Sequence, residues 1–417
     1  MTAKTVRHPI VWTILYLPFG ALGGFVGVAL TFLATKHGLS ITEGALLSGS
    51  SLLISWLKWL WAPIVDVTLS PRRWYVISTF ASAIGVLTMS VVPLAPQTLG
   101  LLLAVIALAS LVNSVVGMAV EAMIAASTPA DQIGRVSAWF QAGNLGGNGL
   151  GGALGLWLVV HLPAPWMAGA IMGALFILCC TALLATPEAR AHAAPDGALA
   201  ATKSVVRDLW EMIRTKGGLL AAILCVLPVG TGAASGVLTQ AKVAAAWHAG
   251  EDEVALVQGL LAGLVTTVGC FAGGWLCHRM RPRTAYATIG LVLAVIAAGM
   301  AGSPRTVTMY VVWNLVYALG VGLAYAAFTA VVLDAMGKGS GATKYNVYAS
   351  LSNFPIWWLG LLLGVTADRW GAGSMLLVEA AMGVVGVLIF AASVVRVRRS
   401  GLADATPIAV PVGGSAQ

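Results

Sequence analysis

Long apolar runs alternate with short polar connections along almost the whole chain. Crossing about 30 Å of hydrocarbon takes roughly 20 apolar residues as a helix, because lipid offers no partner for a free backbone N–H or C=O. Twelve stretches meet this requirement, so the pattern predicts an all-α integral membrane protein with twelve transmembrane helices. The predicted spans are 11–34, 41–65, 74–94, 98–125, 137–160, 165–186, 217–241, 253–277, 284–302, 306–335, 343–366 and 372–395.

The longest polar connection divides the predicted spans into two sets of six. The predicted units are an N-terminal six-helix bundle (1–186), a cytoplasmic linker (187–216), a C-terminal six-helix bundle (217–400) and a flexible tail (401–417). Apolar linker residues follow the i, i+3, i+4, i+7 spacing of an amphipathic helix on the membrane surface, at Val206, Leu209, Trp210 and Ile213.

Short motifs recur in the two halves at an offset close to half the chain. The string Leu17–Gly20 (LPFG) recurs as Leu227–Gly230 (LPVG), and Asn144 in the fifth span matches Asn353 in the eleventh. Two six-helix repeats of this kind place a substrate site between halves that rock around it. We expect a midplane cavity lined by spans 1, 4, 7 and 10.

Composition and charge support a membrane protein and limit its partners. Hydrophobic residues make up 59% of the chain and charged residues only 9%, against about 25% charged in globular domains. The net charge of +8 does not indicate nucleic-acid binding, because the basic residues are scattered between apolar runs. The five cysteines form no CxxC pair, so neither a disulfide framework, a metal site nor a cofactor is predicted.

Lysine and arginine residues collect on one side of the predicted topology. If the N-terminus is cytoplasmic, most of the 23 basic residues lie on the cytoplasmic side of the membrane, as the positive-inside rule requires. We therefore predict a bacterial inner membrane protein with both termini cytoplasmic. The exceptions are Lys58, within a span, and Lys36, Lys242, Arg305 and Arg369, on the outside.

Ionised groups within spans are costly and mark functional sites, and two of the charged residues there stand out, with Glu379 in the last span as a further buried acid. Lys58 falls in the cytoplasmic third of span two, and Glu121 falls in the same third of span four. A pair between them offsets part of the cost of burial. Glu121 is the candidate to take up and release a proton during transport. The alternatives are simple mutual neutralisation and a Lys58 side chain that reaches the surface.

Neutral polar residues in the spans are candidates to line the cavity. Amide side chains in lipid also hold helices together without touching a substrate, and both interpretations stay open. The candidates are Asn113, Gln141, Asn144, Gln240, Asn314, Tyr317 and Asn353.

One string at the end of span two is specific enough to indicate a family. The segment 58–66 (KWLWAPIVD) resembles the K-x-L-W-A-P-x-x-D signature of the AmpG muropeptide permeases and the related acetyl-CoA transporters. The strings at 119–122 (AVEA) and 342–345 (ATKY) are similar to further motifs of that family, with Glu121 and Lys344 as departures. The resemblance implies the major facilitator fold, two pseudo-symmetric six-helix bundles, and a proton-coupled importer of a muropeptide-like conjugate.

The connection after span two also resembles the general major facilitator gating motif. Asp66, Arg72 and Arg73 occupy that loop, and the resemblance implies that they latch the two halves on the cytoplasmic side. In the second copy His278 stands where an aspartate is usual, followed by Arg279. The glycine spacing of span five is similar to that of drug antiporters, but Asn148 replaces the proline. A siderophore permease or a drug/proton antiporter therefore remains an alternative.

A membrane-embedded transferase is the alternative from a different class. Such an enzyme needs a catalytic constellation at an interface, for example an acid and a histidine. The candidate cluster is 251–253 (EDE) with His248 nearby, for which a solvated loop is the favoured interpretation. We therefore predict a transporter that is not an enzyme and acts as a monomer. Its expected partners are a small-molecule substrate, a proton and the lipid bilayer.

Overall fold

The protein is almost entirely helical wherever its structure is described. The computed structural model describes residues 8–62, 65, 68–127, 133–186, 203, 207, 210, 211, 213–336 and 347–399. Most of the predicted linker and the whole predicted tail lie outside these residues, so both stay predictions. Asp66 also lies outside them, as do the side chains of Gln141 and His278.

Each predicted span corresponds to a helical segment. The first half comprises α1 Ile10–Lys36, α2 Ile41–Leu57, α3 Pro71–Val91, α4 Leu99–Ser127, α5 Ile133–His161 and α6 Pro165–Ala185. The second half comprises α7, which begins as Lys216–Val226, then α8 Glu251–Cys277, α9 Pro282–Gly302, α10 Val307–Met336, α11 353–370 and α12 372–398. Helices α11 and α12 are separated by Gly371, whose φ of +81° is readily adopted only by glycine.

Length and composition explain most of these crossings. Eight stretches of the described chain are long and apolar enough to span a membrane, and one of them, Val347–Arg398, contains both α11 and α12. The remaining helices α2, α5 and α7 carry more serine and glycine or are interrupted. Several boundaries follow simple rules: Ser40 and Glu43 form a capping box at the start of α2, and α3, α6 and α9 each begin with a proline.

Glycines bring helices into close contact within and between the halves. A Cβ atom on Gly151 of α5 would lie 2.0 Å from the carbonyl oxygen of Ala21 in α1. Between the halves, a Cβ on Gly149 of α5 would lie 2.6 Å from the Gly259 oxygen of α8. Backbones that approach this closely leave no room for a side chain. The glycine-rich pattern of α5 therefore serves helix packing on two sides.

Helix α7 is broken where its sequence repeats a motif of α1. Pro18 lies inside the continuous helix Ile10–Gly24, whereas the matching 227–230 segment is not helical. The chain turns there through Gly230 and Gly232, with φ values of +61° and +67°. It becomes helical again at Ala234–Leu238. The two halves thus differ in structure at this point.

Side chains of three other helices hold the broken segment of α7 in place. The hydroxyl of Tyr286 in α9 donates to the Val229 carbonyl at 2.6 Å. The carboxylate of Glu379 in α12 accepts the Ala234 N–H at 3.2 Å and a hydrogen bond from the Tyr317 hydroxyl of α10. Backbone groups freed by the break therefore find partners within the protein, as lipid requires.

Candidate functional site

The two ends of the bundle differ in how the halves meet. Because twelve helices alternate in direction, the chain ends near residues 8 and 399 lie at one end, here called the terminal end. The opposite end carries the turns between α1 and α2, α7 and α8, and α11 and α12.

The halves are fastened to each other at the opposite end. Thr31 and Thr239 share a hydrogen bond of 3.2 Å between α1 and the last part of α7. Lys36 at the end of α1 forms an ion pair of 2.9 Å with Glu251 at the start of α8. The backbone N–H groups of the first turn of α2 donate to Asp368 of α11. These contacts join α1 and α2 of the first half to α7, α8 and α11 of the second.

A cavity of about 490 Å³ lies between the halves, away from the fastened end. Its lining comes from α1, α4, α7 and α10, as expected, and also from α2, α5, α9 and α11. In α4 and α10 the lining residues, 110–121 and 321–329, occupy the half of each helix nearest the terminal end. The cavity is therefore displaced toward the terminal end and separated from the opposite end by the contacts between the halves.

Two helices of the first half present polar stripes to this cavity. Ser48, Ser51, Ser55 and Lys58 follow one another along α2 and the 3₁₀ turn after it, at steps of three or four residues. On α4 the corresponding lining residues are Ser110, Asn113, Ser114 and Glu121. The stripes touch, because the Ser110 hydroxyl donates to that of Ser51 at 3.1 Å.

Lys58 and Glu121 are the charged groups among the described residues of the lining. The hydroxyl of Tyr16 in α1 donates to Glu121 Oε1 at 3.2 Å. The ion pairs among described residues are Lys36–Glu251 and Arg207–Glu211, so the expected direct Lys58–Glu121 pair is not among them. The two groups instead share one cavity, where each can face a bound solute.

Three of the neutral candidates line the cavity, namely Asn113, Asn144 and Asn353. The Asn113 amide donates to the Phe19 carbonyl at 3.0 Å and accepts a hydrogen bond from Ser82 at 3.4 Å. Asn353 donates to the carbonyl of its own helix at Ala349, at 3.1 Å. These amides therefore support the cavity wall as well as facing it.

The other described candidates, Asn314, Tyr317 and Gln240, do not line the cavity, because they lie on helix faces that point away from it. Asn314 and Gln258 bond to each other between α10 and α8. Tyr317 faces Glu379, as described above. Gln240 is fully buried between the halves at the opposite end, against Gly44 of α2. Neither amide atom of Gln240 has a hydrogen-bond partner among the described residues.

The first copy of the gating motif forms its described hydrogen bonds within the first half of the protein. Arg72, at the start of α3, donates to the Leu183 carbonyl at 3.1 Å and to the carbonyl and hydroxyl of Thr186 at the end of α6. Arg73 is exposed. In the second copy, the Arg279 guanidinium lies 4.9 Å from the Trp275 ring centre. A latch between the halves stays a prediction, because it depends on Asp66 and His278.

The described residues contain no cluster of three or more His, Cys, Asp or Glu side chains that could hold a metal ion. The chemistry available in the cavity is therefore hydrogen bonding, one cationic group and one acidic group.

Comparison with known proteins identifies the family. Residues 12–356 match the profile of the Major Facilitator Superfamily. The chain belongs to this superfamily. The predicted all-α membrane fold, twelve helices in two six-helix bundles, is thereby confirmed. No curated protein sequence matches this superfamily member significantly.

Solved structures of other transporters share the fold at low sequence identity. A D-xylose-proton symporter matches with a TM-score of 0.67 and 14% identity, covering 92% of this chain and 96% of that one. An inward-facing, unoccupied bacterial homolog of the human lysosomal transporter Spinster gives 0.67 and 16%, covering 94% and 98%. The nucleoside transporter NupG gives 0.67 and 13%, covering 92% and 98%. These likenesses show the shared fold and leave the substrate open.

Proposed function

We propose that this protein is a secondary active transporter that takes up a polar solute together with protons by alternating access. The observation that carries the proposal is the asymmetry of the two ends. A cavity large enough for a small molecule is displaced toward the terminal end, while contacts between the halves fasten the opposite end. This arrangement corresponds to one of the two conformations of an alternating-access cycle. In the other conformation the halves contact each other at the terminal end, and the cavity opens at the opposite end.

The direction in which the cavity faces follows from the charge distribution. The positive-inside rule favours a cytoplasmic location for the terminal end, and we propose that the protein lies in a bacterial inner membrane. The described conformation is then inward-facing. A solute released from it enters the cell, which favours uptake over export.

The lining favours a solute rich in hydrogen-bonding groups. Serine hydroxyls of α2 and α4 line the cavity together with the amides of Asn144 and Asn353. Lys58 provides a positive charge for a carboxylate or phosphate of the solute. A muropeptide-like conjugate, suggested by the resemblance of the 58–66 string, carries hydroxyls, amides and carboxylates and suits this lining.

Glu121 is the group we propose to carry the proton. It faces the cavity, and so has a route to water from the terminal end in this conformation. The hydroxyl of Tyr16 can donate to the carboxylate and accept from the protonated acid, so both protonation states keep a partner. A group that alternates between two charge states in an open cavity couples proton flow to the conformational cycle.

Transport assays in proteoliposomes test both parts of the proposal. The panel consists of an anhydromuropeptide, a siderophore and a cationic dye, each with and without an imposed pH gradient. We expect gradient-driven uptake of the anhydromuropeptide. Glu121→Gln should abolish the effect of the gradient, and Asp252→Asn, which changes an exposed acid, should retain it. Accumulation of the dye only when the gradient drives export would instead establish an antiporter.

A further inference from the structure

A second cavity lies at the terminal end of the second half, apart from the proposed transport route. It has a volume of about 480 Å³ and is enclosed by the start of α7, the start of α9 and the last turns of α12. It shares no lining residue with the central cavity. We call it the basic pocket; its described lining is Lys216, Leu220, Arg281, Pro282, Arg283, Thr284, Val394, Val397 and Arg398.

Charge of one sign converges on the basic pocket. Lys216, Arg281, Arg283 and Arg398 come from three helix ends and line one cavity, and no acidic residue occurs in its described lining. Like charges that share a small volume repel one another. An anion bound between Arg281 and Arg398 would relieve the repulsion between these two groups. Helices α7 and α9 also begin here, and their N-terminal N–H groups add positive potential.

The remaining walls of the basic pocket are aliphatic. Leu220 and Val394 line it one helical turn further into α7 and α12 than Lys216 and Arg398, and Val397 lies beside Arg398. The next residue along α12, Val395, is 51% exposed, as expected for a surface that meets lipid. A pocket with cations at the membrane boundary and aliphatic side chains below them matches the two parts of a phospholipid.

We propose that the basic pocket binds an anionic phosphate group, supplied by the headgroup of an anionic phospholipid. Arg281 and Arg398 hold the phosphate, and the first acyl carbons pack against Leu220 and Val394. Arginine suits this task because its planar guanidinium donates two parallel hydrogen bonds to phosphate oxygens. The site joins α7, which lines the transport cavity, to α9 and α12, so a bound lipid would brace the second half.

The test compares lipid binding by two matched double variants. Arg281→Gln/Arg398→Gln removes two cations of the pocket. Arg396→Gln/Arg399→Gln removes two exposed cations at the same helix end that do not line it. Each purified full-length protein is titrated with phosphatidylglycerol in a phosphatidylcholine background, and thermal unfolding and native mass spectrometry report binding. Inorganic phosphate without the lipid forms a separate arm.

The pocket variant should bind phosphatidylglycerol about 30-fold more weakly, which corresponds to about 1 kcal/mol for each charge removed. The control variant should bind like the parent protein. Both should unfold at the parent's temperature in phosphatidylcholine alone, which shows that they are folded. Equal losses in the two variants, or none in either, would overturn the proposal. If inorganic phosphate alone stabilised the protein fully, this would overturn the proposal that a lipid headgroup supplies the bound phosphate.

Discussion

The carboxylate of Asp368, in the last turn of α11, accepts the backbone N–H of Thr42, in the first turn of α2, at 2.6 Å. It also accepts the N–H of Ile41 at 2.8 Å, while the Ser40 side chain accepts that of Glu43 at 3.1 Å. The free N–H groups at the start of α2 are thus satisfied partly by the other half of the protein. When the halves separate at this end, α2 loses part of its cap.

Removing this cap should favour opening of the opposite end. We expect Asp368→Ala to weaken the contact between the halves by about 1 kcal/mol, the usual size of a charged helix cap, and so to shift the conformational equilibrium about fivefold. Distances between spin labels at His37 and Asp252 measure the shift. Arg369→Ala changes the neighbouring exposed residue and should leave the distances as they are.

The buried amide of Gln240 should destabilise the conformation described here. Neither of its polar atoms has a partner among the described residues, and such a group costs about 1–3 kcal/mol. Gln240→Met keeps the length of the side chain without the polar atoms. We expect a higher unfolding temperature and slower transport, because the fastened end opens less readily.

Gln258→Met is the matched control for this variant. Gln258 donates to Asn314, so its replacement should lower the unfolding temperature. If both methionine variants lowered it, the amide of Gln240 would have a partner after all.

The contact between α1 and α5 should not tolerate a side chain at Gly151. A Cβ atom there would lie 2.0 Å from the Ala21 oxygen, whereas a Cβ on Gly146 of the same helix meets no atom within 4 Å. Gly151→Ala should therefore cost about 1–3 kcal/mol through overpacking. Gly146→Ala should be neutral or slightly stabilising. Thermal unfolding in detergent compares the two; equal unfolding temperatures would contradict the described packing.

The break in α7 should depend on Tyr317 and Glu379. Tyr317→Phe removes one of the two hydrogen bonds that Glu379 Oε1 accepts, and taking a partner from a buried polar group costs about 1–3 kcal/mol. We expect a lower unfolding temperature and a reduced transport rate, because Gly230 and Gly232 of the freed segment line the cavity. A variant that transports at the parent rate would show that α7 does not need this support.

The sequence predicts the crossings well because lipid leaves the backbone little choice. Each predicted span has its helix, and the duplicated halves follow from the recurring motifs. The break in α7 could not be predicted in this way, since the 227–230 string repeats one that stays helical in α1. The α7 segment differs from the α1 string in being followed by Gly232 and in having side-chain partners such as Tyr286. These partners reach the segment only in the folded protein.

The cavity could be predicted only in part, because a span does not reveal how its helix is rotated. Amides were the natural candidates, yet Gln240 and Asn314 face other helices. The serines of α2 are not among the predicted lining residues, since a serine hydroxyl in a membrane helix can bond the carbonyl one turn back, as Ser55 does with Ser51. Their regular spacing toward Lys58 was the signal that could have revealed the lining.

Alternating access is tested most directly by two distances measured in the same protein. Spin labels at His37 and Asp252 report the opposite end, and labels at Arg73 and Arg279 report the terminal end. In the Asp368→Ala variant, we expect the distance at the opposite end to lengthen and the distance at the terminal end to shorten. If both distances lengthened together, or if the first changed while the second stayed fixed, the two halves would not rock about a central cavity.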